Sequence, residues 1–123
     1  MKSSKESFLH NRVKSVGFAF KGAFLLIKTE ASIQVQFVLA ILITIAGFYF
    51  DITKTEWIAQ IFALGLVMSI EGLNTAIESL SDFIHPEHHR KIGFIKDISA
   101  GAVFIAAIAA IIIGFIIYFP KVF

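Results

Sequence analysis

Ile98 to Phe119 reads ISAGAVFIAAIAAIIIGFIIYF, a run without one charged residue. Crossing a hydrocarbon core about 30 Å thick takes roughly 20 apolar residues in a helix. This run is long enough, so a chain that contains it is expected to live in a bilayer. Composition agrees: of 123 residues, 57% are hydrophobic and 16% charged, with a mean hydropathy of +0.81. That leaves too little polar surface for a water-soluble domain of this size.

Two shorter apolar runs extend the pattern. Phe37 to Phe50, FVLAILITIAGFYF, reaches spanning length if Ala31 to Gln36 continues it, with Gln34 and Gln36 at the interface or facing protein. Trp57 to Ile70 lengthens in the same way through Glu71 to Asp82. Alone, each run also fits a buried helix of a soluble protein. Beside the charge-free run they are expected to be membrane spans, giving an all-α integral membrane protein with spans at about 31–50, 56–82 and 95–119.

Upstream, VKSVGFAFKGAFLLI (Val13 to Ile27) sets Lys14 and Lys21 a heptad apart, while Val16, Phe20, Phe24 and Ile27 recur at helical spacing. This predicts an N-terminal amphipathic surface helix over about 8–28, with Gly17 and Gly22 as weak points. The stretch has no unbroken apolar core followed by a small-residue cleavage site, so it is expected to stay on the protein rather than act as a signal peptide. The whole of 1–123 reads as one domain. Pro86 falls in a loop and Pro120 after the last span.

Lys2, Lys5, Arg12, Lys14, Lys21 and Lys28 precede the first span, whereas the link from Asp51 to Glu56 carries only Lys54. The positive-inside rule then places the N-terminus and the 83–95 loop in the cytoplasm and the C-terminus outside. With no cysteine, disulfides and thiolate chemistry are excluded. A net charge of +2 gives no case for nucleic acid, and the basic residues cluster where anionic headgroups would lie.

The candidate chemistry lies on one helical stripe. Glu71, Asn74, Thr75, Glu78 and Asp82 follow i, i+3, i+4, i+7, i+11 spacing, and Leu73, Ile77 and Leu80 lie off it. A charge inside a bilayer costs roughly 2.5–3.5 kcal/mol on insertion scales, so such acids persist where they meet a partner, a metal or a substrate. Glu71 and Glu78 lie roughly 10 Å apart along the axis, too far to share one ion alone but suited to two roles along an extended ligand such as a nucleoside triphosphate. Oxygen ligands without cysteine or a zinc-spaced histidine set favour Mg²⁺.

EGLNTAIESLSD followed by KDISAGAV, with FKG and KTE upstream, resembles the prokaryotic diacylglycerol kinase family, which includes the undecaprenol kinases. The resemblance runs from about Arg12 to the last span. It implies a homotrimeric bundle of three-span protomers in the bacterial cytoplasmic membrane, with active sites shared between chains, moving the γ-phosphate of ATP to a lipid hydroxyl. It also implies that Glu71 is the general base and that Glu30 and Glu78 hold Mg²⁺. Lys96 and Asp97 would contact the nucleotide, Asn74 and Asp82 complete the site, and Glu87, His88 and His89 match the stretch that meets adenine. Arg12 matches the family's N-terminal Arg, with Lys14 as a rival. Phe18 stands where some members carry Tyr, which removes a hydroxyl.

Blander readings stand beside these. Glu30 fits a solvated helix cap, Lys96 and Asp97 a helix-start ion pair, and His85, His88 and His89 a solvated loop. Trp57 and Tyr118 fit outer-interface anchors. A small proton-coupled transporter would use Glu71 as its carrier, yet it leaves Glu78 and the Lys96–Asp97 pair without work. The lipid, diacylglycerol or undecaprenol, stays open on sequence.

Overall fold

The structure, a computed structural model, describes residues 4–123, with side chains from Ser7 onward. Lys2, counted in the basic flank, and the side chain of Lys5 lie outside the described residues. The chain forms four helices: α1 (Ser4–Thr29), α2 (Ala31–Tyr49), α3 (Lys54–Ile84) and α4 (Arg90–Val122). The last three are each long and apolar enough to cross a membrane. Helices cover the stretches expected as spans at about 31–50, 56–82 and 95–119, α3 and α4 being longer at both ends. Helix α4 runs through Pro120 to its final turn, where Phe123 N bonds Phe119 O at 3.0 Å. A proline this close to the end disturbs little helix beyond it.

Helices α1 and α2 are one path broken at a single residue. Glu30 has extended backbone angles (φ −100°, ψ 115°) and caps α2 without a side-chain hydrogen bond. Gln34 Nε2 donates to Lys28 O at 2.9 Å, satisfying a carbonyl that the break releases. Despite Gly17 and Gly22, α1 is continuous. Residues 7–25 are all exposed, and α1 meets the other helices through its last turns, where Leu26 is half-buried.

The α2–α3 turn is tightly built. Asp51 adopts φ 50°, the left-handed conformation that closes a helix. Ile52 N bonds Gly47 O at 3.1 Å and Asp51 N bonds Phe48 O at 3.3 Å, a Schellman pattern with Asp where Gly is usual. Asp tolerates this conformation better than most residues. Thr53 and Glu56 then form a reciprocal capping box that starts α3. Trp57 folds back over Gly47, where an added Cβ would lie 2.6 Å from the indole ring.

From this turn the helices run antiparallel in constant register. Gln60 Nε2 donates to Ile43 O at 3.3 Å, the Tyr118 hydroxyl reaches Gln60 Oε1 at 2.5 Å, and Lys121 pairs with Glu56 at 3.0 Å. Tyr118 and Trp57, expected as interface anchors, also contact neighbouring helices, Tyr118 through Gln60 and Trp57 over Gly47. Gln36 also faces protein, along a groove with Leu39, Leu64 and Met68. Large apolar residues such as Val35, Phe62, Ile105 and Ile116 remain exposed on the outer faces of the spans. In water that surface would be strongly unfavourable, whereas acyl chains or other protein chains cover it at no such cost.

Candidate active site

The register that sets the turn at one end also sets which side chains meet at the other. Ser32, second residue of α2, lies opposite Glu71 of α3, and its Oγ donates to Glu71 Oε1 at 3.0 Å. One residue on, Gly72 admits Leu26 of α1, whose Cδ1 lies 2.9 Å from where a Cβ would stand. Glu71, half-buried, thus sits where the α1–α2 corner meets α3. Next to it an apolar groove of about 190 Å³ is lined by Ala23, Leu26, Ile27, Ile33, Met68 and Ser69.

One turn further along α3, Asn74 is buried and its Nδ2 donates to Glu78 Oε1 at 3.1 Å. Asn74 Oδ1 is buried without a hydrogen-bond partner. A carbonyl in that condition is costly unless another group donates to it. Glu78 is exposed and keeps its second oxygen for another partner. Among the described residues no three acidic or histidine side chains converge as a metal cage. Mg²⁺ does not need one, because it retains waters and phosphate oxygens and takes only one or two carboxylates from protein. The donors present fit that kind of ion.

At the end of the stripe Asp82 pairs with Lys96 of α4, Oδ1 to Nζ 2.5 Å. The helix-start pair between Lys96 and Asp97 is therefore not the contact formed, and Asp97 is exposed. The loop between α3 and α4 is shaped by its histidines. His85 caps α3 and its Nδ1 lies 2.7 Å from Glu87 O, while the His89 side chain accepts from Lys91 N at 3.1 Å and starts α4. His89 is thus a helix cap as well as a candidate nucleotide contact. His88 and Glu87 are exposed.

Arg12 and Phe18 stand apart from this cluster. Arg12 lies over the Phe8 ring, 5.6 Å from its centroid, and Phe18 is exposed. Along α1 they precede Leu26 by about 20 and 12 Å at ~1.5 Å per residue. The structure brings together Glu71, Asn74, Glu78, Asp82 and Lys96 along one face, with Glu30 two residues from Ser32. It does not bring Arg12 or Phe18 to them. Ser32 itself was not singled out by the sequence, since a serine after an acidic cap looks like ordinary helix-start chemistry.

Comparison with known proteins places these residues in context. Residues 17–118 match the prokaryotic diacylglycerol kinase family, a segment that contains the whole stripe but not Arg12. The chain is 35% identical over 113 residues to the undecaprenol kinase of Bacillus subtilis (strain 168), covering 92% of each. It is 33% identical over 100 residues to the diacylglycerol kinase of Escherichia coli (strain K12), covering 81% of this chain and 82% of that one. Over 116 residues it is 33% identical to the diacylglycerol kinase of Haemophilus influenzae, covering 94% and 98%.

Proposed function

The chain belongs to the prokaryotic diacylglycerol kinase family of lipid kinases, and on that premise we propose that it moves the γ-phosphate of ATP to the hydroxyl of a membrane lipid. The observation that carries the reading is the position of Glu71, half-buried and held by Ser32, at the head of the stripe that continues through Asn74, Glu78 and the Asp82–Lys96 pair, with Met68 and Ser69 of the apolar groove in the turn before it. An acid so placed meets a lipid from the membrane side and a nucleotide from the water side.

The lipid hydroxyl approaches along the groove beside Leu26 and Ile33 and gives its proton to Glu71. Its oxygen forms a bond to the γ-phosphorus as the bond from that phosphorus to the bridging oxygen breaks, and ADP departs with the electron pair. Such a transfer needs positioning and charge neutralisation more than covalent help. Lys96, oriented by Asp82, supplies positive charge to the phosphates, with Asp97 beside it. Glu78 and Glu30 would hold Mg²⁺, with Asn74 fixing Glu78. When bound, the ion offsets phosphate charge. Glu87, His88 and His89 border the nucleotide's base.

Several polar side chains of this face are exposed in the single chain, and Arg12 and Phe18 lie far from it along α1. Both features support a homotrimer in which neighbouring chains complete each site and α1 lies along the cytoplasmic surface. The acceptor is diacylglycerol or undecaprenol, the substrates that the relatives' names carry. The test is direct: purified protein in mixed micelles with each lipid, Mg²⁺ and ATP labelled in its γ-phosphate. Label in the lipid product of either arm is the expected result. ATP consumption without labelled lipid, or neither, would overturn the reading.

A further inference from the structure

Small hydroxyls on helices can bond back to the carbonyl four residues earlier. Ser15, Thr29 and Thr44 do so, reaching Asn11 O at 2.9 Å, Leu25 O at 2.6 Å and Ala40 O at 2.7 Å. Ser32 does not. The carbonyl four residues before it, Lys28 O, is taken by Gln34 Nε2 at 2.9 Å, and the extended backbone at Glu30 carries Lys28 out of line with α2. The Ser32 hydroxyl is thereby left to donate across to Glu71 Oε1, at 3.0 Å, between helices separated by a whole turn of chain.

We propose that Ser32 is a positioning residue for Glu71: its hydroxyl holds one carboxylate oxygen so that the other faces the acceptor hydroxyl. This rests on the reading of Glu71 as the general base. A carboxylate on an unbranched two-carbon stem has several rotamers, and a donor fixed to the first turn of α2 selects among them. Gln34 acts one step further out, by occupying the carbonyl that would otherwise compete for the hydroxyl. Because Ser32 is exposed, its hydrogen bond competes with water and adds little to folding. Its effect should therefore appear in turnover and not in stability.

The test compares Ser32→Ala and Ser32→Thr with Glu71→Gln in the micelle phosphorylation assay. Ser32→Ala should lower kcat about ten- to a hundredfold, the range in which misplacing a reacting group acts. The KM values for ATP and lipid, and the midpoint of thermal unfolding, should stay at their wild-type values. Ser32→Thr, which keeps a hydroxyl, should recover most of kcat. In the Glu71→Gln background, Ser32→Ala should reduce the residual rate no further. Wild-type kcat in Ser32→Ala beside a nearly inactive Glu71→Gln would overturn the role of Ser32 and leave the base reading standing. A raised KM with unchanged kcat, or an equal loss in Ser32→Thr, would also overturn it. An active Glu71→Gln would remove the base reading itself, and the role of Ser32 with it.

Discussion

Lys96 Nζ meets Asp82 Oδ1 at 2.5 Å, linking the ends of α4 and α3 that flank the polar face, while the adjacent Asp97 is left exposed. The pair is partly solvated, with side-chain exposures of 37% for Lys96 and 60% for Asp82, so it contributes only about 0–1 kcal/mol to stability. Its consequence is orientation of the lysine.

Asp82→Asn should therefore raise the KM for ATP several-fold with little change in thermal midpoint, and Lys96→Met should lose more, because it removes the charge as well. Steady-state kinetics and thermal unfolding of the two variants check this. A fall in stability with unchanged ATP dependence would show that the pair is only a brace.

Glu78→Gln and Glu30→Gln should raise the concentrations of Mg²⁺ and ATP needed for half-maximal rate. Asn74→Ala should behave like a milder Glu78→Gln, since it frees Glu78 Oε1 from its donor. Titration of the rate with Mg²⁺ measures all three. If high Mg²⁺ restores no activity in either acidic variant, the metal-ligand assignment loses its main support.

The turn at the opposite end should affect folding without affecting chemistry. Gly47→Ala sets a methyl 2.6 Å from a rigid indole, which is expected to cost about 1–3 kcal/mol through displacement of Trp57. Asp51→Val should cost about 1–2 kcal/mol, because a branched residue is strained at φ 50°. Asp51→Gly should not. Unfolding in mild detergent, beside KM values equal to wild type, would check both.

Much of this fold could be read in advance, and the limits are physical. The charge-free run to Phe119 announces a span by length alone, and the polar stripe from Glu71 to Asp82 follows from helical periodicity. Which residues those side chains meet depends on the register between antiparallel helices, and no local pattern encodes it. That is why nothing in the sequence marks Ser32 as the partner of Glu71, why Lys96 turns to Asp82 instead of Asp97, and why the Tyr118–Gln60 bond is not foreseeable. His89 is a related case: a polar loop is obvious in sequence, whereas the use of one of its rings as a helix cap is not.

A shared site makes a further expectation. Because Arg12 lies far along α1 from the stripe of its own chain, mixing protomers carrying Glu71→Gln with protomers carrying Arg12→Ala should restore activity in proportion to mixed assemblies, if Arg12 serves the site of a neighbouring chain. No recovery would confine the site to one chain. In sealed vesicles of known orientation, Lys54 should label from outside and the His85–His89 loop from the cytoplasmic side.

The central claim is that Glu71 takes the proton of the acceptor hydroxyl, and the measurement that bears on it most directly is phosphoryl transfer by Glu71→Gln with nucleotide binding followed in the same preparation. The side chain keeps its size and loses its basicity. A general base contributes typically ~10²–10⁴-fold, so kcat should fall by that amount while ATP binds as it does to the wild-type protein. Retention of more than about a tenth of kcat would contradict the claim, since a loss that small is below what removal of a general base produces.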